Sequence, residues 1–301
     1  MKKLFRKRNF NIPFLNMRKW GYVFSAIMLI GSIFAICTKG LNYGIDFQGG
    51  VLVEVSSEKA FDMAQMRSRL SFLKDFTIQS AGEEGNMILI QCQPREGETG
   101  AQVVNQIKAE LGDGYKYERV EVIGPTIGEE LKQKSLLASI LALLAISIYI
   151  WFRFEWPFAI GCMLSLAHDL IIVIGIFAFF GWDFNMVVVA GILSLAGYDC
   201  NDTIVTYDRV RENLRKFRRD SIDSILNRSI NETLSRTLLT SLTTLFVVLV
   251  LLFVGGGTLE GFSRAMVWGT ILGTYSSIFV AVPMLRYFDI RTVSNATEVK
   301  E

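Results

Sequence analysis

The sequence predicts an α-helical membrane protein of six transmembrane helices carrying one small α+β domain outside the membrane. Three observations lead there. Of 301 residues, 51% are apolar and only 20% are charged, below the roughly 25% usual for soluble domains, and the mean hydropathy of +0.36 is high for a water-soluble chain of this length. Six stretches are long and apolar enough to cross a hydrocarbon core of about 30 Å. One polar stretch, residues 39–134, separates the first of them from the second.

The elements follow in chain order. Residues 1–19 form a basic segment with seven lysines and arginines and no acid. The apolar run Trp20–Thr38 comes next, giving a first span over 20–38. It is longer than the apolar part of a signal peptide and no small-residue cleavage site follows, so it reads as an uncleaved span. Residues 39–134 read as strand Val51–Val55, helix Ala60–Leu73, strand Phe76–Ser80, strand Met87–Cys92, helix Ala101–Leu111 and strand Tyr117–Ile123. The strands are rich in Val and Ile, and the helices space Phe61, Met63, Met66, Leu70 and Val103, Val104, Ile107, Leu111 as apolar faces. The order βαββαβ is the ferredoxin-like split motif, with Gly82–Asn86 as the turn between the middle strands.

Residues 135–287 hold the five remaining spans, at Leu136–Phe152, Pro157–Gly181, Met186–Tyr207, Thr237–Val254 and Met266–Tyr287. The connection 208–235 carries seven basic residues. It spaces Leu214, Phe217, Ile222, Ile225, Leu226 and Ile230 as one face of a broken amphipathic helix, suited to lie flat on an anionic leaflet. The turns around Asp183 and at Gly255–Ser263 hold no basic residue. Lysine and arginine mark the cytoplasmic side. Residues 1–19, the connection 208–235 and the tail 288–301 are therefore expected inside, and the α+β domain outside.

Composition excludes several functions. One histidine leaves no zinc site built on imidazoles. Cys37, Cys92, Cys162 and Cys200 are far apart and form neither a disulfide framework nor a CxxC motif; only Cys92 looks exposed to an outside compartment. The glycines of GIDFQGG lack the Lys-Ser or Lys-Thr of a phosphate loop. They are expected to turn the chain out of the bilayer, with Asp46 capping or bonding that turn. No nucleophile has a base beside it, and no basic, aromatic surface suggests nucleic acid. The chain reads as non-enzymatic, without metal or cofactor.

Ionisable groups inside spans are costly and mark function by default. They are His168 and Asp169 in the third span, Asp199 and Asp202 in the fourth, and Arg236 at the cytoplasmic end of the fifth. Counting about 1.5 Å per residue puts Asp202 level with Arg236, and Asp169 level with Asp199 near mid-membrane. Asp199 and Asp202, three apart, share a helix face with Asn201 beside them. Two carboxylates in a low-dielectric site resist ionising together, and an approaching guanidinium reverses that. Such a device couples proton passage to helix motion. The competing reading is a static buried ion pair, with Arg236 snorkelling to the interface. Thr237, Thr240, Ser241, Thr243 and Thr244, then Gly269, Gly273, Ser276 and Ser277, form small and hydroxyl stripes that either pack helices closely or line a hydrated path.

Several motifs together resemble the SecD/SecF family of protein-export membrane proteins. They are NYGIDFQGG at 42–50, VIGPTIGEEL at 122–131, AHDLII at 167–172, NDTIVTYDRVREN at 201–213, SRTLLTSLTT at 235–244 and GTYSSIFVA at 273–281. The resemblance covers residues 16–289. It implies a half-transporter of the RND superfamily in the bacterial inner membrane, paired with SecD, working beside the Sec translocon channel and its small subunit on unfolded preprotein. Proton flow then moves the outer domains. The family's membrane acid falls on Asp202 and its arginine on Arg236. Asp46, Gly49, Gly50, Gly124, Pro125, Asn201, Thr203, Thr240, Ser241 and Gly273 fall on motif positions. One departure is Asp199, where the family usually has serine. One charge falling through about 100 mV releases about 2.3 kcal/mol, enough to bias a domain swing but not to unfold a stable cargo. Export of a small molecule or lipid by the same six-helix unit, and a passive scaffold, are the alternatives.

Overall fold

The computed structural model describes residues 11–81, 85–112 and 114–291. The basic cluster Lys2–Arg8, most of the expected turn at 82–86 and most of the tail lie outside the described residues.

The chain opens with helix α1 (Phe14–Lys39), then β1 (Asn42–Tyr43) and a one-turn helix α2 (Ile45–Gln48). The α+β domain follows as β2 (Gly50–Ser56), α3 (Met63–Arg69), β3 (Lys74–Ala81), β4 (Met87–Gln93), α4 (Gly100–Leu111) and β5 (Lys116–Ile123). Its sheet runs β3-β4-β2-β5 with every neighbouring pair antiparallel. Both domain helices start on side-chain caps, Asp62 accepting from the amides of Ala64 and Gln65 at 2.9 and 3.2 Å, and Thr99 with Gln102 forming a capping box. Alternation along the strands sends Val51, Val53, Val55, Ile88, Ile90 and Cys92 into one core with Met66, Leu70, Val103, Ile107 and Leu111. Cys92 is buried here rather than exposed, and burial pushes its thiol up to about 11.

The helical part comprises α5 (Pro125–Arg153), α6 (Trp156–Phe180), β6 (Asp183–Phe184), α7 (Met186–Lys216), α8 (Ile222–Val254) and α9 (Gly256–Ser276). A π-helical turn (Ser277–Ala281), α10 (Val282–Met284) and a 3-10 turn (Leu285–Tyr287) complete it. Five helical segments are long and apolar enough to cross a membrane, namely α1, α5, α6, α8 and the run from Gly256 to Tyr287. The sixth expected span, α7, has 31 residues, and its apolar stretch is interrupted by Asp199, Asn201 and Asp202. α6 and α9 are largely enclosed, whereas α1, α5 and α8 turn most of their apolar surface outward.

The polar connection at 208–235 does not lie flat. It continues α7 to Lys216 and starts α8 at Ile222, leaving only residues 217–221 as a link. Leu214, Ile225, Leu226 and Ile230 are buried in the helical core instead of facing lipid. The reason is that the two helix extensions cover each other. Arg209 Nε donates to Glu232 at 2.6 Å and Asn213 Nδ2 to Ser229 at 3.0 Å, so the apolar face has a protein partner.

Asp46 also acts otherwise than expected. Its Oδ2 accepts from the amide of Met186 at 2.9 Å, satisfying one of the unpaired donors at the start of α7. Gly49 and Gly50 have φ of 74° and 136°, which side-chain-bearing residues rarely adopt. A Cβ on Gly49 would meet the backbone of Pro125 and Gly124, and one on Gly128 would meet the amide of Gly49. The two glycine-rich motifs thus pack backbone against backbone where α2 meets the start of α5, and Pro125 suits the first helical position because no amide is needed there.

The second face of the sheet rests on the adjoining turns of the helices. Asp183 accepts from Gln91 Nε2 at 2.7 Å, Gln79 Nε2 at 3.3 Å and Asn42 Nδ2 at 2.6 Å. Arg119 donates to Thr258 at 3.0 Å, and the carboxylate of Glu54 lies against Gly257. The short parallel pair β1–β6 joins the same two regions, Asn42 opposite Asp183. Neither this pairing nor α2 is visible in the periodicity of the sequence, because each is too short to show one.

Candidate membrane coupling site

Asp202 sits on α7 with 4% of its surface exposed. Two hydroxyls from α8 stand in for water, Thr240 donating to Oδ1 at 3.2 Å and Ser241 to Oδ2 at 3.4 Å. The hydroxyl of Ser241 lies 2.7 Å from that of Thr274 on α9. A polar thread therefore joins α7, α8 and α9 through an otherwise apolar contact. Helix geometry explains the choice of residues, since Thr240, Ser241 and Thr274 are small enough to let the helices approach and still carry a donor.

Arg236 does not pair with Asp202. It is exposed one turn before Thr240 on α8, and it acts on Asp202 only as a through-space charge. Matching depth was expected to bring the two together; residue counting gives height along a helix but not the direction a long side chain takes. Asn201 likewise points outward, while Thr203 is buried with its hydroxyl lacking a partner among the described residues.

One helical turn from Asp202, Asp199 is 2% exposed and meets Asp169 of α6, which is fully buried. The two carboxyl groups lie close enough for each to feel the other's charge. Ser276 of α9 donates to Asp169 Oδ2, and His168 Nδ1 lies 2.7 Å from Asp169 Oδ1. Gly273, one turn before Ser276, leaves room for this pair, because a Cβ there would overlap Asp199 Oδ1. Depth counting had paired Asp169 with Asp199, and these two do meet.

Sequence reasoning flagged the hydroxyl stripe as a set without separating Ser276 from the rest, and it passed over Thr274. It also passed over Tyr207. That ring is fully buried, and its hydroxyl donates to Ala281 O at 3.0 Å in the π-helical turn next to Ser276. Pro283 lacks the amide that would continue the α-helical ladder, and π turns inside helices often accompany functional sites. Tyr207 ends the NDTIVTY run of the sequence, the one signal that could have drawn notice to it.

Long apolar helices, a small α+β domain and a thread of buried carboxylates and hydroxyls define a multi-pass membrane protein with a polar centre between its helices. Comparison with known proteins gives the family. Residues 103–291 match the family described as protein export membrane protein SecD/SecF, C-terminal, and residues 34–60 match the SecD/SecF GG motif. The protein translocase subunit SecF of Vibrio alginolyticus is 42% identical over 90% of this chain and 87% of its own length. That of Pseudomonas aeruginosa is 39% identical over 93% and 92%. The crystal structure of SecDF, a translocon-associated membrane protein, from Thermus superposes with a TM-score of 0.84 at 32% identity over 94% of this chain, which spans 39% of that longer one. A SecDF in a super-membrane-facing form gives 0.68 at 31% identity over 98% of this chain and 40% of its own. The chain belongs to the SecD/SecF family and is similar along most of its length to the SecF subunits. It is a bacterial multi-pass membrane protein of Sec-associated protein export.

Proposed function

We propose that this chain pairs with SecD beside the Sec translocon channel and its small subunit, and couples the proton-motive force to outer-domain movements that promote late translocation of unfolded preprotein. The observation that carries the reading is Asp202, a buried carboxylate held by two hydroxyls and, among the described residues, no cation, one helical turn from the buried carboxylate of Asp199. A group so placed is able to take and release a proton, and the contacts it makes cross three helices that must shift if its charge changes. Export of this kind is non-enzymatic, and it needs neither cofactor nor nucleic acid.

The same reading makes α7 the sixth span and gives the outer domain the ferredoxin-like fold, which its strand order supports. The chain then lies in the inner membrane with both termini in the cytoplasm. Its parts are a basic segment 1–19, a first span 20–38, an outer domain 39–134, the five-helix region 135–287 and a tail 288–301. Arg236 stands among exposed Leu238, Leu239, Leu242 and Phe246 on α8. A guanidinium beside hydrocarbon is costly, and this favours a partner subunit over that surface.

Pulse-chase export with and without an imposed proton gradient tests the reading. Asp202→Asn and Arg236→Met are expected to assemble with SecD at wild-type levels yet lose gradient-dependent maturation. Normal precursor maturation in Asp202→Asn would sink it and leave a passive scaffold.

A further inference from the structure

We infer that the π-helical turn Ser277–Ala281 is a register joint in the run from Gly256 to Tyr287, held in place by the hydroxyl of Tyr207. Its relaxation to α-helix trades the contact of Ser276 with Asp169 against that of Arg286 with Asp223. The inference rests on the coupling reading above, for which Tyr207 becomes a positioning residue. A π turn closes from residue i to residue i+5, here from the carbonyl of Ser277 to the amide of Val282. It therefore holds one residue more than an α turn, and each residue turns an α-helix by about 100°. Before the turn, Ser276 donates to Asp169. After it, Arg286 Nε donates to Asp223 Oδ1 of α8 at 2.6 Å. Both contacts are made at once only because the extra residue lies between them, and in an unbroken α-helix one of the two faces about 100° away from its partner.

The π register leaves an acceptor over, and Tyr207 takes it. Ala281 O would accept from the amide of Leu285 in an α-helix, but that amide turns to Val282 O and Pro283 O instead. Tyr207 Oη donates to Ala281 O at 3.0 Å in its place. Pro283 removes one amide from either register and so does not choose between them; the hydroxyl does. Ala281 is fully buried, and a buried carbonyl without a donor is costly, so withdrawing the hydroxyl sends Leu285 N back to Ala281 O and the turn towards α. The surroundings are fitted to this grip. Gly161 of α6 leaves room for it, since a Cβ there would lie 2.5 Å from the Tyr207 hydroxyl, and the rings of Phe154 and Phe158 meet the tyrosine in T-shaped contacts at 6.1 and 5.2 Å. Phe279, inside the turn, rests in the notch that Gly21 leaves on α1. Tyr207 follows Asp202 on α7, so a shift of that helix when Asp202 changes charge carries the hydroxyl with it.

Spin-label distances within the full-length chain in lipid vesicles test the joint. Nitroxides are placed at Ile271→Cys and Tyr287→Cys, both exposed positions, with the exposed native thiol Cys37 changed to Ser. The labels stand about 24 Å apart along the helix axis, and a relative turn of about 100° changes their separation by several ångström. Tyr207→Phe is expected to raise a second distance several-fold above its wild-type share. Gly161→Ala keeps the hydroxyl but crowds it with a methyl group; it is expected to do the same, and it carries the test if Tyr207→Phe folds poorly. Deleting Val280, a half-buried residue of the turn, takes out the extra residue and leaves both flanks in their present orientation. Combined with either substitution, the deletion is expected to restore a single distance, a rescue that general loosening of the helices would not give. No second distance in either substitution, or one that survives the deletion, overturns the joint. Because the distances do not depend on export, normal export by Asp202→Asn would sink the coupling reading while leaving the joint standing, and the reverse holds too.

Discussion

Asp202 illustrates what a charged residue needs inside an apolar bundle, namely donors that replace its lost hydration. Thr240 and Ser241 supply them. Ser241→Ala removes one donor and leaves Thr274 Oγ1 without that neighbour, so we expect weaker gradient-dependent export and a stability loss of about 1–3 kcal/mol, read from denaturant unfolding in detergent. Gly273→Ala puts a methyl group into Asp199. It is expected to lower both the unfolding midpoint and export, and to be relieved when combined with Asp199→Ser, a rescue that a remote folding defect would not give. The acids were legible in the sequence because a charge in an apolar run is an anomaly that no packing rule explains. Their donors were not, since a hydroxyl in a helix bonds its own backbone by default, as Thr243 does to Leu239 O at 2.9 Å, and only the fold decides which hydroxyls turn to a carboxylate.

Single elements show where sequence periodicity stops. The cores of the domain strands and helices were readable from Val and Ile runs and from apolar spacing, and they fall where β2, β4 and α4 form. The ends were not. α5 begins at Pro125 rather than Leu136 and α8 at Ile222 rather than Thr237, because polar residues continue a helix wherever a neighbour covers its inner face. The contact of Asp46 with α7 joins residues 140 apart, which no local pattern reveals. Asp46→Ala is expected to cost about 1 kcal/mol, as for loss of a helix cap, with faster amide exchange confined to the first turn of α7. Tyr207→Phe removes the donor to Ala281 O in the π turn and is expected to destabilise by about 1–3 kcal/mol, because a buried carbonyl is then unsatisfied.

Across the whole molecule, the α+β domain and the helices meet through carboxylates that give their docking a pH dependence. Burial raises both Asp183 and Glu54 above the ordinary carboxylate range, with Gln91 and Gln79 lowering the first in part and Arg119 the second. Undocking returns each to water and to its ordinary value, so the docked form binds protons more tightly. Docking therefore strengthens as the pH falls through the interval just above the ordinary carboxylate range, and loses that gain as the pH rises beyond the docked values. Amide exchange of β3, β4 and residues 182–185 is expected to slow between about pH 7 and about pH 5, more than chemistry alone slows it, and Asp183→Asn with Glu54→Gln is expected to flatten the change. Slower exchange at the higher pH would refute this sign.

The backbone contact between the two glycine motifs has a mechanical consequence. α5 runs unbroken for 29 residues from Pro125, a rod of about 43 Å against a hydrocarbon core of about 30 Å, so its first turns stand clear of the bilayer. There Gly49 and Gly128 touch without side chains between them, and a joint of bare backbone has no slack. A tilt of about 10° in a rod of that length swings its outer end by about 7 Å. The sheet, joined to that end, would travel with it, so that α5 would act as a crank by which small shifts among the helices become displacement of the sheet.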